Sequence, residues 1–312
     1  MSSDPSESRA APIRVGTAGW SYEDWNGIVY PEKPGRGFDQ LGMMASLFDT
    51  NEINSTFYRI PDPRMTEGWA RRVAHNPRFA FTAKLFRGFT HERKAGAAEE
   101  KDYARAMEPL ASAGRLGCVL AQFPFSFRNT EENRDWVDAL LAKFPRFPMA
   151  VEFRHGSWDD PAVVDLLTSR RAAFVNIDQP RLEGNLPGTA HVTAPVAYFR
   201  FHGRNAPKWF GPDTSNIERY NYLYSSDELE PWIGRLRQSR ETLSESDQGR
   251  GAAKGVYAIL NNHFRGQAVA NALEIENTLG GRTFTVPETL REAYPTVAAI
   301  SRSPATRQRK LF

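Results

Sequence analysis

Apolar, β-branched and aromatic residues recur in runs of strand length, separated by stretches with the three-to-four-residue apolar period of a helix. Eight strand-like runs stand out, over 13–20, 51–58, 79–86, 116–123, 149–154, 172–178, 196–202 and 255–263. Between them the amphipathic pattern predicts helices over 38–48, 64–74, 98–113, 130–144, 161–170, 226–242 and 267–279. Asn129 with Glu132 and Ser225 with Glu228 have capping-box spacing, and Asp160 followed by Pro161 sets a capping carboxylate before a first-turn proline. One connection breaks the alternation: 181–195, rich in Gly and Pro, reads as an irregular loop where a sixth helix is expected.

Alternating strands and helices imply parallel strands with right-handed crossovers, in a closed barrel or an open sheet. The phase of the side chains favours the barrel. Val151-Glu152-Phe153-Arg154, Val175-Asn176-Ile177-Asp178 and Phe199-Arg200-Phe201-His202 each put apolar residues on one face and polar ones on the other. A central strand of an open sheet is covered on both faces and reads apolar on both, whereas a barrel strand directs one face into the lumen. The expected fold is an α/β (β/α)8 TIM-type barrel over 13–300, with the sixth helix replaced by a loop. Polar flexible tails are expected over 1–12 and 301–312, and an exposed linker over 244–253.

Composition adds little to this. The chain has 312 residues and a formal charge of +3, compatible with an anionic partner without requiring one. The single cysteine, Cys118, lies in an apolar run, forms no internal disulfide and fits a reducing compartment. No apolar stretch near the start has signal-peptide character and none approaches membrane-spanning length, so the expectation is a cytoplasmic protein with no membrane partner.

By side-chain phase, Glu52, Asn54, Lys84, Gln122, Glu152, Arg154, Asp178, Arg200 and His202 are expected in the upper lumen, with Asn262 or His263 from the last strand. Active sites of this fold lie at that rim. Three carboxylates facing three cations form a connected network, because ionised groups are costly to desolvate unpaired. Glu52, Glu152, Asp178 and His202 or His263 carry atoms suited to Mg, Mn or Zn, but Lys84, Arg154 and Arg200 already balance the carboxylates and reduce the need for a divalent metal. His91 and His155 fall on the same rim. Aromatic residues cluster in the loops that follow strands: Trp20, Tyr22, Trp25 and Tyr30, then Tyr58, Trp158, Trp209, Tyr220, Tyr222 and Tyr224, interleaved with Arg204, Lys208 and Arg219. Flat rings beside cations suit stacking on sugars or bases with phosphate contacts; equally, long loops need aromatic anchors.

Gly16-Thr17-Ala18-Gly19-Trp20, Glu52-Ile53-Asn54-Ser55-Thr56-Phe57-Tyr58, Phe81-Thr82-Ala83-Lys84 with Thr90-His91, and Gln122-Phe123-Pro124 resemble segments of the DUF72, or YecE-like, family. So do Val151-Glu152-Phe153-Arg154 with Ser157-Trp158, Arg200-Phe201-His202-Gly203-Arg204, Arg219-Tyr220-Asn221-Tyr222 and Asn261-Asn262-His263. The resemblance implies a TIM-type barrel with a site built from these rim residues, and names no reaction. At the level of fold the arrangement is also similar to the sugar isomerase and endonuclease IV group, from whose metal clusters Lys84, Arg154 and Arg200 depart.

These residues point to an enzyme acting on a phosphate-bearing substrate, with a nucleic acid within reach of that class. Glu152, Asp178, His202 and Lys84 are the catalytic candidates. Glu52, Asn54, Gln122, Arg154, Arg200, Arg204, Asn262, His263, Trp20 and Tyr58 are the substrate-binding ones. A sugar or sugar-phosphate isomerase or lyase is the alternative, and a non-catalytic module recruited to DNA is another. The last alternative comes from Gln308-Arg309-Lys310-Leu311-Phe312, which resembles the Gln-x-x-Leu-Phe peptide that docks on the bacterial sliding clamp; Gln308, Leu311 and Phe312 are its expected partner-binding residues.

Overall fold

The computed structural model describes residues 10–209, 216–245 and 254–304. Eight parallel strands close a barrel in sequence order: β1 Ile13–Ala18, β2 Thr50–Ile53, β3 Ala80–Lys84, β4 Leu116–Gln122, β5 Met149–Glu152, β6 Ala173–Asp178, β7 Val196–Phe201 and β8 Gly255–Leu260. β1 pairs with β2 on one side and with β8 on the other. The fold is the α/β (β/α)8 TIM-type barrel that the pattern predicts.

The outer helices Gln40–Leu47, Pro63–Arg72, Ala97–Ser112, Glu131–Lys143, Pro161–Ser169, Ser226–Glu245 and Gln267–Gly280 coincide with the predicted ones to within a few residues. Asp160 caps its helix through the Ala162 amide, and Ser225 and Glu228 form the expected reciprocal pair. The predicted Asn129 box is shifted by one: Thr130 has the extended backbone of a cap, and its hydroxyl accepts from the Asn133 amide. The predicted second strand is also shorter than expected, since Ser55–Tyr58 is a helical turn that lifts Phe57 and Tyr58 onto the rim.

Close approach of strands depends on two glycines. A Cβ on Gly16 would lie 2.0 Å from the Thr50 carbonyl oxygen, and one on Gly117 would lie 2.3 Å from the Tyr257 hydroxyl in the barrel interior. Between β6 and β7 no helix forms among the described residues. Instead, Asn176 holds the intervening segment: its amide nitrogen donates to the His191 carbonyl, and its oxygen accepts from the Thr189 hydroxyl and the His191 amide. Thr193 adds a bridge from the Phe174 amide to the Ala172 carbonyl.

The body extends past the expected boundary at 300, because Ser301–Arg302 pair with Phe284–Thr285. The helix reaching Glu245 likewise takes the first residues of the expected linker, and 246–253 lie outside the described residues, as do 1–9 and 305–312. No helix among the described residues is long and apolar enough to cross a membrane.

Candidate functional site

Residues in register on neighbouring parallel strands share a face. Glu52 is level with Thr82, Thr82 with Cys118, and Gln122 with Glu152, so these side chains and Lys84 enter the lumen. From β7 the lumen receives Tyr198 and Arg200, level with Val175 and Ile177 of β6.

That register corrects one expectation. Because Val175 and Ile177 face inward, Asn176 and Asp178 face outward. Asp178 is held there by Arg204 Nε at 2.9 Å, and Arg204 also reaches Glu228 of the helix Ser226–Glu245. Asn262 is likewise out of phase: its amide donates to the Tyr222 carbonyl and to Asn271 on the outer layer, while Asn261 and His263 turn toward the rim. Trp20 is also absent from the cavity lining, packing edge-on to Trp69 with ring centroids 5.8 Å apart.

The floor of the site is a buried charge network. Arg200 donates to Glu152 Oε2 at 2.6 Å and to Glu52 Oε1 at 2.7 Å. The Tyr198 hydroxyl donates to the other Glu52 oxygen and lies 2.7 Å from the Thr82 hydroxyl. Arg154 Nε approaches Glu152 Oε1 at 2.6 Å. Burial alone would raise the Glu152 carboxyl, but Arg154, Arg200 and His202 outweigh it and hold the group well below the usual carboxylate range. His202 is fully buried, and Asn261 donates to its Nδ1 at 3.0 Å, which leaves the proton on Nε2, 3.3 Å from Glu152 Oε1. Burial, reinforced by Arg154, keeps this imidazole well below its ordinary pKa, so it is neutral at pH 7.

Above the floor lies a cavity of about 340 Å³ lined by Tyr22, Asn54, Phe57, Tyr58, Lys84, His91, Gln122, Arg154, Arg200, Tyr220, Asn261 and His263. A second cavity of about 260 Å³ shares His91, Gln122, Arg154 and Tyr220 with it and adds Trp209 and Arg219. Lys84 Nζ donates to Gln122 Oε1 at 2.8 Å and sits 4.5 Å from the centre of the Phe57 ring. Burial, and then Arg200, lower its pKa to about 8. His91 and His263 are each lowered to about 4, chiefly by burial. The Tyr22 ring stacks on His263 with centroids 4.4 Å apart.

Of the catalytic candidates, only Lys84 lines the cavity. Glu152 and His202 lie beneath it, and Asp178 lies outside the barrel wall. Of the binding candidates, Asn54, Tyr58, Gln122, Arg154, Arg200 and His263 line it, Glu52 supports Arg200 from below, and Arg204 belongs with Asp178. Phe57 and Asn261 enter the lining without having been singled out from the sequence. For Phe57 the missing signal was the helical turn; for Asn261 it was the phase of β8. No group of three or more His, Cys, Asp or Glu side chains converges as a metal-binding cluster among the described residues, and both lumenal glutamates are engaged by Arg200.

The family model described as "Protein of unknown function DUF72" matches residues 14–295. The UPF0759 protein YunF of Bacillus subtilis is 29% identical over 278 residues, spanning 84% of this chain and 93% of that protein. The crystal structure of a DUF72 family protein from Thermotoga maritima superposes with a TM-score of 0.72 at 35% identity, covering 86% of this chain and 98% of the other. One from Enterococcus faecalis also gives 0.72, at 26% identity, covering 86% and 95%. With the family model spanning nearly the whole barrel and solved members sharing its architecture, this chain belongs to the DUF72 family.

Proposed function

We propose that the rim cavity binds the anionic group of a phosphate-bearing substrate and that the protein is an enzyme acting on that substrate. The observation that carries this reading is the charge balance of the lumen. With Asp178 outside the wall, Glu52 and Glu152 face three cations, Lys84, Arg154 and Arg200. Arg200 spends both terminal nitrogens on the two glutamates and Arg154 meets Glu152 through Nε alone, so the net surplus is one positive charge, shared by Lys84 and the outer end of Arg154. Arg219 adds another cation in the adjoining cavity, with its Nε buried and, among the described residues, without a hydrogen-bond partner. A surplus of donors in a partly enclosed site favours an anion.

In this reading Lys84 and Arg154 hold the anion, and the neutral imidazoles His91 and His263 are the acid/base groups at the cavity wall. Glu152 acts as a positioning residue for the two arginines. Phosphoester hydrolysis is the leading reaction. A sugar-phosphate isomerase or lyase is favoured by a different observation, the lowered pKa of Lys84. A module brought to DNA by Gln308, Leu311 and Phe312 would use the same cations on nucleic-acid phosphate.

Inorganic phosphate is expected to raise the melting temperature of the native protein, since a ligand at about a hundred times its dissociation constant stabilises by about 2.7 kcal/mol. Arg154→Met should remove most of that rise. An equal rise in both proteins would sink the proposal, as would no rise in either. Phosphate release from small sugar phosphates and oligonucleotides then separates the candidate substrates.

A further inference from the structure

We propose that Lys84 forms an imine with a carbonyl-bearing phosphorylated substrate, an open-chain aldose or ketose phosphate, whose phosphate is held by Arg154 and Arg219. The inference rests on the anion-binding reading of the same cavity and goes beyond it by naming the nucleophile and the second functional group of the substrate.

Among the described residues, Lys84 is the one lysine that lines this cavity. It stands at the end of β3 in the lumenal phase, where the two nearby glutamates are taken by Arg200 and Arg154. Among the described residues, no carboxylate lies within ion-pair distance of its Nζ. One hydrogen bond, to Gln122 Oε1, orients the amine, and the Phe57 ring covers one side of it. An amine that is buried, anchored by one acceptor and set near the Arg200 guanidinium is held toward its neutral, nucleophilic form, with Glu52 and Glu152 opposing this only in part. With its pKa near 8, roughly a tenth of the amine is neutral at pH 7, against about one part in 2,500 for an ordinary lysine. The cations with room for a phosphate, Arg154 and Arg219, lie in and beside the same cavity, so one small molecule can present its phosphate to them and its carbonyl to Lys84.

The step balances without any co-reactant. The nitrogen lone pair attacks the carbonyl carbon and the π pair moves to oxygen, which takes up a proton to give a carbinolamine. The nitrogen then loses a proton, the hydroxyl takes up a proton and leaves as water as the C=N bond forms, and the resulting protonated imine releases its last N–H proton to give the neutral imine. Amine and carbonyl become imine and one water. Once protonated, the imine accepts the electron pair of an adjacent C–H or C–C bond, and neutral His91 and His263 are the nearby bases.

The test incubates full-length protein with pyridoxal 5′-phosphate and, separately, with glycolaldehyde phosphate, a much smaller probe. Borohydride then reduces any imine, and peptide mass mapping locates it. The expected result is one addition at Lys84, at least tenfold faster than at any other amine, slowed by inorganic phosphate and absent from folded Lys84→Met. Labelling spread over surface lysines with no preference for Lys84, seen with both probes, would overturn the proposal. Preferential labelling of Lys84 that phosphate does not slow supports the imine but overturns the phosphate cradle, and with it the anion-binding reading. Stabilisation by phosphate without labelling of Lys84 leaves the anion-binding reading standing and removes the imine.

Discussion

Arg200 is fully buried and donates to two glutamates at once, so what it leaves over decides the chemistry of the cavity above it. Glu152 is the hinge of that arrangement, touching Arg154, Arg200 and His202 while itself lying below the cavity. Glu152→Gln keeps the shape and strips the charge, leaving two arginines under-compensated in a dry setting. It should destabilise the fold by about 3–5 kcal/mol, measured by denaturant unfolding. A variant as stable as the native protein would return Glu152 to the catalytic candidates, where it would fold normally and lose only turnover. Lys84 pulls in the opposite direction. Its pKa lies near 8 against an ordinary 10.5 because burial and Arg200 penalise the charged form. Below pH 8 both folded and unfolded chains carry the proton, and the folded state bears the penalty in full. Between pH 8 and 10.5 the folded chain releases a proton that the unfolded chain keeps, so native stability gains as pH rises. Lys84→Met should therefore be more stable than the native protein at pH 7, by a margin that narrows toward pH 10.5. A margin constant across that window would show that Lys84 is not strained by burial. Stability given up at a group facing the cavity is the usual mark of a functional residue.

At the scale of elements, the helices and strands were readable because their apolar periods are long and their caps are explicit. The polar face of each strand was readable too, but alternation reveals two faces without saying which one turns inward. For β7 the apolar face meets Trp232 of the helix Ser226–Glu245, and after β5 Phe153 stacks on Trp158, so in both the polar face takes the lumen. β6 meets the helix Pro161–Ser169 too, but its outward face also adjoins a helix-free segment whose backbone needs polar partners, and Asn176 supplies them. The same reasoning explains Asn262, whose amide serves Tyr222 and Asn271 in the outer layer. Phe57 was missed for a separate reason, since Ser55–Tyr58 has the aromatic and β-branched composition of a strand and forms a helical turn. Asn176→Ala should strand the Thr189 hydroxyl and the His191 amide at about 1–3 kcal/mol for each buried group left unpaired. The expected readout is faster hydrogen exchange at the His191 amide and new proteolytic cleavage between 179 and 195, with the outer helices unchanged. Unaltered protection at His191 would mean that the segment is held by its own packing and not by Asn176.

For the whole molecule, the rim offers cations and rings to a ligand, and recruitment would decide which ligands the rim meets. The pentapeptide Gln308-Arg309-Lys310-Leu311-Phe312 lies outside the described residues, so its case rests on chemistry alone. Adjacent Leu311 and Phe312 follow a polar, basic stretch that includes Arg307, Arg309 and Lys310. A glutamine that can hydrogen-bond an exposed backbone and two apolar side chains that can fill a groove are the elements of short-peptide docking. The basic neighbours would draw the segment to an acidic surface and make the association weaken with salt. The proposal is that this segment docks on the bacterial sliding clamp, and purified clamp titrated into full-length protein is expected to bind in the micromolar range. Leu311→Ala with Phe312→Ala should abolish binding, while Arg309→Ala with Lys310→Ala should weaken it mainly at low salt. Loss in the first pair alone would identify groove filling as the source of affinity; loss only in the second would indicate charge attraction without a specific groove. If full-length protein does not bind at high clamp concentration, nothing outside the cavity favours nucleic acid as the substrate. The proposed phosphate-bearing substrate would then rest on the size and charge of the cavity alone, about 340 Å³ with Lys84 and Arg154 in its lining.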